Sequence, residues 1–178
     1  GRVDLLGGTL TTLPVRFNPT APELNTAIAL THIDLAQVIA LEQQPGLSGE
    51  GTLNGQFPVQ VHDGQLRVTD GQLNSTPSGG WIRFTPAPEV LALSQANPSL
   101  NIALDALRNL QYSSLGIKLD YSPDGTANLQ TRLQGNNPDW NRGQPIDLTI
   151  NIEENIPQLM KTLQFTDELT RKIEKRYR

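Results

Sequence analysis

Apolar and polar residues alternate with a period of two through most of this chain. That pattern confines the backbone to extended strands with one buried face each. Leu115, Ile117, Leu119 and Tyr121 point one way, Pro123-Asp124-Gly125 turns the chain, and Ala127, Leu129, Thr131 and Leu133 return. Ile146, Leu148, Ile150 and Ile152 repeat the pattern against Asp147, Thr149, Asn151 and Glu153. Earlier, Leu53, Phe57, Val59 and Val61 oppose Thr52, Asn54, Gln56, Gln60 and His62, and Asp63-Gly64 signals a hairpin into Leu66 and Val68. Asp-Gly-Gln-Leu stands at 63–66 and again at 70–73. A second hairpin there would leave a very short strand, so a continuous strand with a glycine bulge at Gly71 is expected. Leu24, Ile28 and Leu30 form one further half-buried strand, and Trp81, Ile82 and Phe84 another. Buried parallel strands are apolar on both faces; these are wet on one, so the sheet is expected to be mostly antiparallel.

Helical spacing is confined to short stretches. Asp34 is placed to cap Leu35, Val38, Ile39 and Glu42, with Gln37 as a capping-box partner and Pro45-Gly46 as the stop. From Val90 to Leu110 the pattern turns helical: Asn97 caps with Pro98 at the first helical position, and Leu100, Ala103, Leu104, Leu107 and Leu110 fall on one stripe, although Leu100, Ile102 and Leu104 also fit a strand. A helical portion is expected over 154–178. Pro157 lies near the start of its first helix, and Thr166 caps the second, whose first turn is acidic and last turn basic. So few helices cannot cover every aliphatic strand face.

Reactive chemistry is hard to assemble from these residues. A net charge of −4 disfavours a partner held through phosphate contacts, so no nucleic acid is expected. The absence of cysteine removes thiolate, disulfide and iron–sulfur readings. His32 and His62 lie far apart on strand edges or polar faces, no Gly-x-Ser-x-Gly elbow exists, and Gly49, Gly51 and Gly55 sit inside a strand pattern with no helix after them. Glu153-Glu154 precedes a helix, where carboxylates are favoured, and the Asp-Gly pairs lack the flanking ligands of a calcium repeat. A non-catalytic chain with no catalytic residue, metal or cofactor is expected. No apolar run reaches the ~18 residues of a membrane span, and the start at Gly1 suggests a segment of a longer protein. The aliphatic faces remain. They are either an ordinary core or a trough for an apolar ligand, and alternation alone serves both.

Leu47-Ser48-Gly49-Glu50-Gly51-Thr52-Leu53-Asn54-Gly55-Gln56-Phe57-Pro58-Val59, with Gly64-Gln65-Leu66 and Asp70-Gly71-Gln72-Leu73 after it, resembles the C-terminal part of YdbH-type proteins. So do residues 146–155 and the closing Ile173-Glu174-Lys175-Arg176. The resemblance implies an AsmA-like, TamB-like envelope bridge of a Gram-negative bacterium: an inner-membrane anchor upstream, a β-groove across the periplasm, and outward movement of phospholipid. It also implies a small outer-membrane lipoprotein that adds strands to the C-terminal edge, for which Ile146–Ile152 is the candidate. A dicarboxylate-transport label attached to the same family domain calls for clustered Arg or Lys, which this sequence does not contain. The expected fold is mainly β with a few short helices, a curved, mostly antiparallel and taco-like groove forming one segment over 1–178. Its expected lipid-facing residues are Leu53, Phe57, Val59, Val61, Leu66, Val68, Leu115, Ile117, Leu119, Leu129, Leu133, Ile146, Leu148, Ile150 and Ile152. The alternative is a docking module that binds the lipoprotein without carrying lipid.

Overall fold

The computed structural model describes residues 1–14, 16–17, 19–20 and 23–158. Eleven strands and three α-helices follow in the order β1 (Arg2–Leu5), β2 (Gly8–Thr12), β3 (Arg16–Phe17), β4 (Glu23–Asp34), α1 (Leu35–Glu42), β5 (Leu47–Glu50), β6 (Thr52–His62), β7 (Gln65–Ser75), β8 (Gly80–Phe84), α2 (Pro88–Gln95), α3 (Pro98–Leu107), β9 (Leu110–Tyr121), β10 (Thr126–Asn136) and β11 (Pro145–Asn155). The strands form one open sheet in the order β1-β2-β4-β6-β7-β9-β10-β11, and every pairing is antiparallel. Among the described residues β1 and β11 are each paired on one side only.

The lower end of the sheet carries the second, shorter ladder. β5 leads through Gly51 into β6, and β7 leads through residues 76–79 into β8, so the pair β5/β8 continues the pair β6/β7. β9 serves both: Leu110–Tyr112 pair with β8, and residues from Gly116 onward pair with β7. Leu110, expected on a helical stripe, is therefore the first residue of β9. Arg108 and Asn109 end the helix one turn earlier than the leucine spacing suggests.

Local chemistry explains the turns and ends. Asp63 and Gly64 both take positive φ (53° and 74°), the type I′ conformation whose twist matches the strands it joins. β7 runs unbroken from Gln65 to Ser75, as expected, with a register shift between Val68 and Gly71. Asp70 rather than Gly71 takes the left-handed backbone there (φ 56°), and its amide donates to Asp120 Oδ1 at 2.8 Å. Gly71 matters for space instead, because a Cβ would come 2.7 Å from the Phe57 ring. Asp34 caps α1 by accepting from the Ala36 amide, Gln43 ends it in the left-handed region, and Asn97 caps α3 by accepting from the Leu100 amide. β11 continues to Asn155, beyond the expected strand end. The two helices expected after it lie outside the described residues except for 156–158.

The ladders β4/β6, β6/β7, β7/β9 and β9/β10 each contain a register shift. An extra residue on one strand bends that strand and raises the local twist, so four shifts in neighbouring ladders coil the sheet. The core runs along one face from strand to strand: Leu30 and Ile33 of β4, Leu53 of β6, Leu73 of β7, Leu115 of β9 and Leu133 of β10 are buried in one cluster, with Ile146 of β11 packed against it.

Candidate functional site

Cross-strand register assembles that face row by row. One row reads Ile28, Phe57, Gly71, Leu119, Leu129, Ile152; the next reads Leu30, Gly55, Leu73, Ile117, Thr131, Ile150. Below it Ile33 pairs with Leu53, and Leu115, Leu133 and Leu148 continue on the neighbouring strands. Toward the other end stand Val59, Val68, Tyr121, Ala127 and Glu154, and then Leu24, Val61 and Leu66. All fifteen residues proposed from the sequence fall on this one side. Thr52, Asn54, Gln56, Asp147, Thr149 and Asn151 fall on the other, because a period of two permits no mixture within an unshifted ladder.

Coverage of the face is uneven. Ile33, Leu53, Leu115 and Leu133 are 1%, 0%, 2% and 2% exposed. Leu35, Ile82, Leu110 and Tyr112 share their cluster, with Val38, Ile39, Leu47 and Leu107 packed against it, so α1, α3 and the short ladder close the lower end. Tyr112 locks this closure. Its hydroxyl donates to the Glu50 carbonyl at 3.1 Å, and Gly51 and Gly80 leave the space its ring occupies. Burial, and then the nearby Glu50 carboxylate, push the Tyr112 phenol above its ordinary range. Asn137, only 1% exposed, ties the end of α3 down by donating to the carbonyls of Asp105 (3.0 Å) and Ala106 while accepting from the Asp139 amide.

Beyond the closed end lies a half-buried aliphatic band. Ile28, Phe57, Ile117, Leu119, Leu129 and Ile150 are intermediate in exposure, and Ile152 is 38% exposed. Val59, Val68 and Ala127 are buried next to it, and Leu66 stands 44% exposed at the rim. One charged side chain enters this setting. Glu154 ends the β11 stripe, and it is the group that acts on the Glu42 carboxyl at the end of α1. Burial first, then hydrogen bonding and repulsion from Glu154, hold the Glu42 carboxyl above the ordinary glutamate range. Nothing in the local sequence around either residue announced that effect.

The polar side offers different material. A depression of about 450 Å³ lies over Gly116, lined by Gln72, Asn74, Ser114, Lys118, Gln130 and Arg132 among others. Arg132 is already committed to Asp147, donating from Nε at 3.1 Å and from Nη2 at 2.7 Å, which holds the Asp147 carboxyl below its ordinary range. His62 lies between Glu23 and Asp63 at the sheet's exposed end, 3.2 Å from each. His32 occupies the register shift of β4, its amide bonded to Asn54 Oδ1 at 2.8 Å. The two histidines are thus separate surface features.

The described strands thus form an open, antiparallel sheet with one continuous aliphatic side. A family model described as YdbH-like, intermembrane phospholipid transport protein YdbH, matches residues 1–178, and the chain belongs to this family. A protein of Escherichia coli (strain K12) described as "Probable phospholipid transport protein YdbH" is 24% identical over 177 residues, covering 99% of this chain. The chain spans 20% of that relative's length. No solved structure matches.

Proposed function

We propose that this chain is a segment of a periplasmic phospholipid conduit, and that the half-buried aliphatic band is where acyl chains lie. The single observation that carries this reading is the unequal cover of one continuous apolar face. A core would seal the row of Phe57, Leu119, Leu129 and Ile152 as tightly as the row of Leu53, Leu115 and Leu133, yet only the latter is sealed. Each methylene laid on the band gains up to about 0.8 kcal/mol, with no polar contact required. The headgroup remains in water. In the longer protein, an inner-membrane anchor precedes this segment, and lipid passes between the inner and outer membranes of a Gram-negative envelope. The role is carriage rather than catalysis.

Photoreactive residues at Leu129 and Ile152, installed in cells, test the reading. Capture of phospholipid there, with little at Leu133 on the closed floor or at Asn128 and Gln130 on the polar side, is the expected result. Equal capture at all five positions, or none, would end it.

A second reading is favoured by one observation: β11 is eleven residues long, straight in register with β10, and paired on that side only among the described residues. Such an edge accepts a strand from a small outer-membrane lipoprotein. Proline substitutions along β11 that abolish partner binding while lipid capture persists would assign this segment to docking.

A further inference from the structure

We propose that the packed pair of helices α2 and α3 is a membrane-docking element, which seats the closed end of this chain on a phospholipid bilayer. Between Glu89 and Asp105 the sequence contains no charged residue. α3 turns Leu104 and Ala106 inward, 5% and 2% exposed, with Leu107 packed against the core cluster. Ile102 lies two residues before Leu104, about 200° around the helix axis, and is 56% exposed. On α2, Ser94 is buried with its hydroxyl returned to the Leu91 carbonyl at 2.7 Å, while Leu91 and Leu93 are 37% and 67% exposed. Single exposed leucines are ordinary on a protein surface. Three large aliphatic side chains on two short helices, with no charge interspersed, form a surface suited to hydrocarbon, which takes apolar groups freely and penalises ions.

The base of the two helices has the composition of a bilayer interface. Both tryptophans of the chain stand there. Trp81 pairs with Gln111 across the β8/β9 ladder, and the Arg83 guanidinium lies 4.5 Å from its ring centre. Trp140 belongs to the loop whose Asn137 ties down the end of α3. Arg108 follows α3, and Arg142 is exposed two residues beyond Trp140. Asn109 joins these parts, accepting from Arg83 Nε at 3.2 Å and Gln111 Nε2 at 2.9 Å and donating to Asp139 Oδ2 at 2.8 Å. The acids at this level are engaged. Asp139 is held by Asn109, Glu50 by Trp81 Nε1, Asp105 lies 3.7 Å from Arg108, and Glu89 sits in the first turn of α2, where the helix dipole favours it. Each guanidinium has five donors, so donors remain for lipid phosphates. Tryptophan favours the headgroup level, and the aliphatic residues beyond it favour the acyl boundary. That order of chemistry, in a chain whose family is described by intermembrane phospholipid transport, selects a lipid surface as the partner.

Docking goes beyond the conduit reading and does not rest on it. Flotation of the full chain with vesicles of phosphatidylethanolamine and phosphatidylglycerol tests it. The parent is expected to rise with the vesicles. Leu93→Glu with Ile102→Glu is expected to bind about tenfold or more weakly, and Leu93→Trp at least as well as the parent. Both positions are exposed, so the urea midpoint is expected to hold in each variant. Ile152→Glu, on the open band of the strands, is expected to float like the parent, which separates docking from lipid uptake. A parent that stays behind, a double glutamate variant that floats equally, or loss of flotation in Ile152→Glu overturns the proposal. So does a parent that ignores vesicles and forms dimers broken by Leu93→Glu, the mark of a contact between copies. Each of these results leaves the photocapture test of the conduit standing by itself.

Discussion

Leu53 and Ile152 occupy the same face, and truncating each to alanine separates a sealed floor from an open band. Leu53 is 0% exposed, in contact with the cluster formed by β4, β9, β10 and the closing elements. Leu53→Ala removes buried methyl groups and leaves a cavity that tight packing on all sides cannot collapse, at a cost of about 3–5 kcal/mol. For a chain of this size that lowers Tm by about 6–20 °C. Ile152 is 38% exposed. Ile152→Ala removes a similar volume, but water already reaches the site, so no cavity term applies and the loss is about 1–1.5 kcal/mol. Urea unfolding with an unchanged m-value measures both. A difference of about 1.5–4 kcal/mol is expected. Losses equal within about 0.5 kcal/mol would refute the division of the face into closed and open parts.

Two other changes probe the parts that position the site. Asn137→Ala strands the carbonyls of Asp105 and Ala106 and the amide of Asp139, and is expected to cost about 2 kcal/mol by urea unfolding, with Asn137→Asp no better because a carboxylate cannot donate; an unchanged midpoint would show that α3 is held by packing alone. Asp147, whose carboxyl is held low by hydrogen bonds from Arg132, is expected to titrate at higher pH in Arg132→Ala when followed by carboxyl-carbon NMR. The stability this pair confers is present above the ordinary aspartate pKa and disappears as pH falls through the depressed value, so an Asp147 titration identical in both proteins contradicts the assignment.

The strand faces were legible in the sequence because alternation is a local signal. Leu115 to Tyr121 and Ile146 to Ile152 declare their buried side without reference to any partner. Asp63-Gly64, Asp34 and Asn97 were legible for a similar reason, since turn and cap chemistry acts within a few residues. Exposure was not. Leu53 and Ile152 look alike in the chain, and only the position of α1, α3 and β5/β8 makes one sealed and the other accessible. Leu110 was drawn into a helix by leucines at helical spacing, whereas pairing with Ile82 of β8 claims it for β9. The acid pair was hidden most completely. Glu42 fits a helix end and Glu154 fits the start of the next helix, and neither local account foresees that Glu154 raises the Glu42 pKa.

The straight register of β10 and β11 carries a consequence for how this segment tolerates changes of length. Their eleven paired positions run from Thr126–Asn155 to Asn136–Pro145 without a shift. Loss of one residue between Ile146 and Ile152 would invert every side chain on one side of the gap, sending Asp147, Thr149 or Asn151 inward and isoleucines outward. Loss of two would shorten the strand and preserve its sidedness. Length variation in this part of the molecule is therefore expected in pairs within the strand, with single-residue changes confined to the loop of residues 137–144.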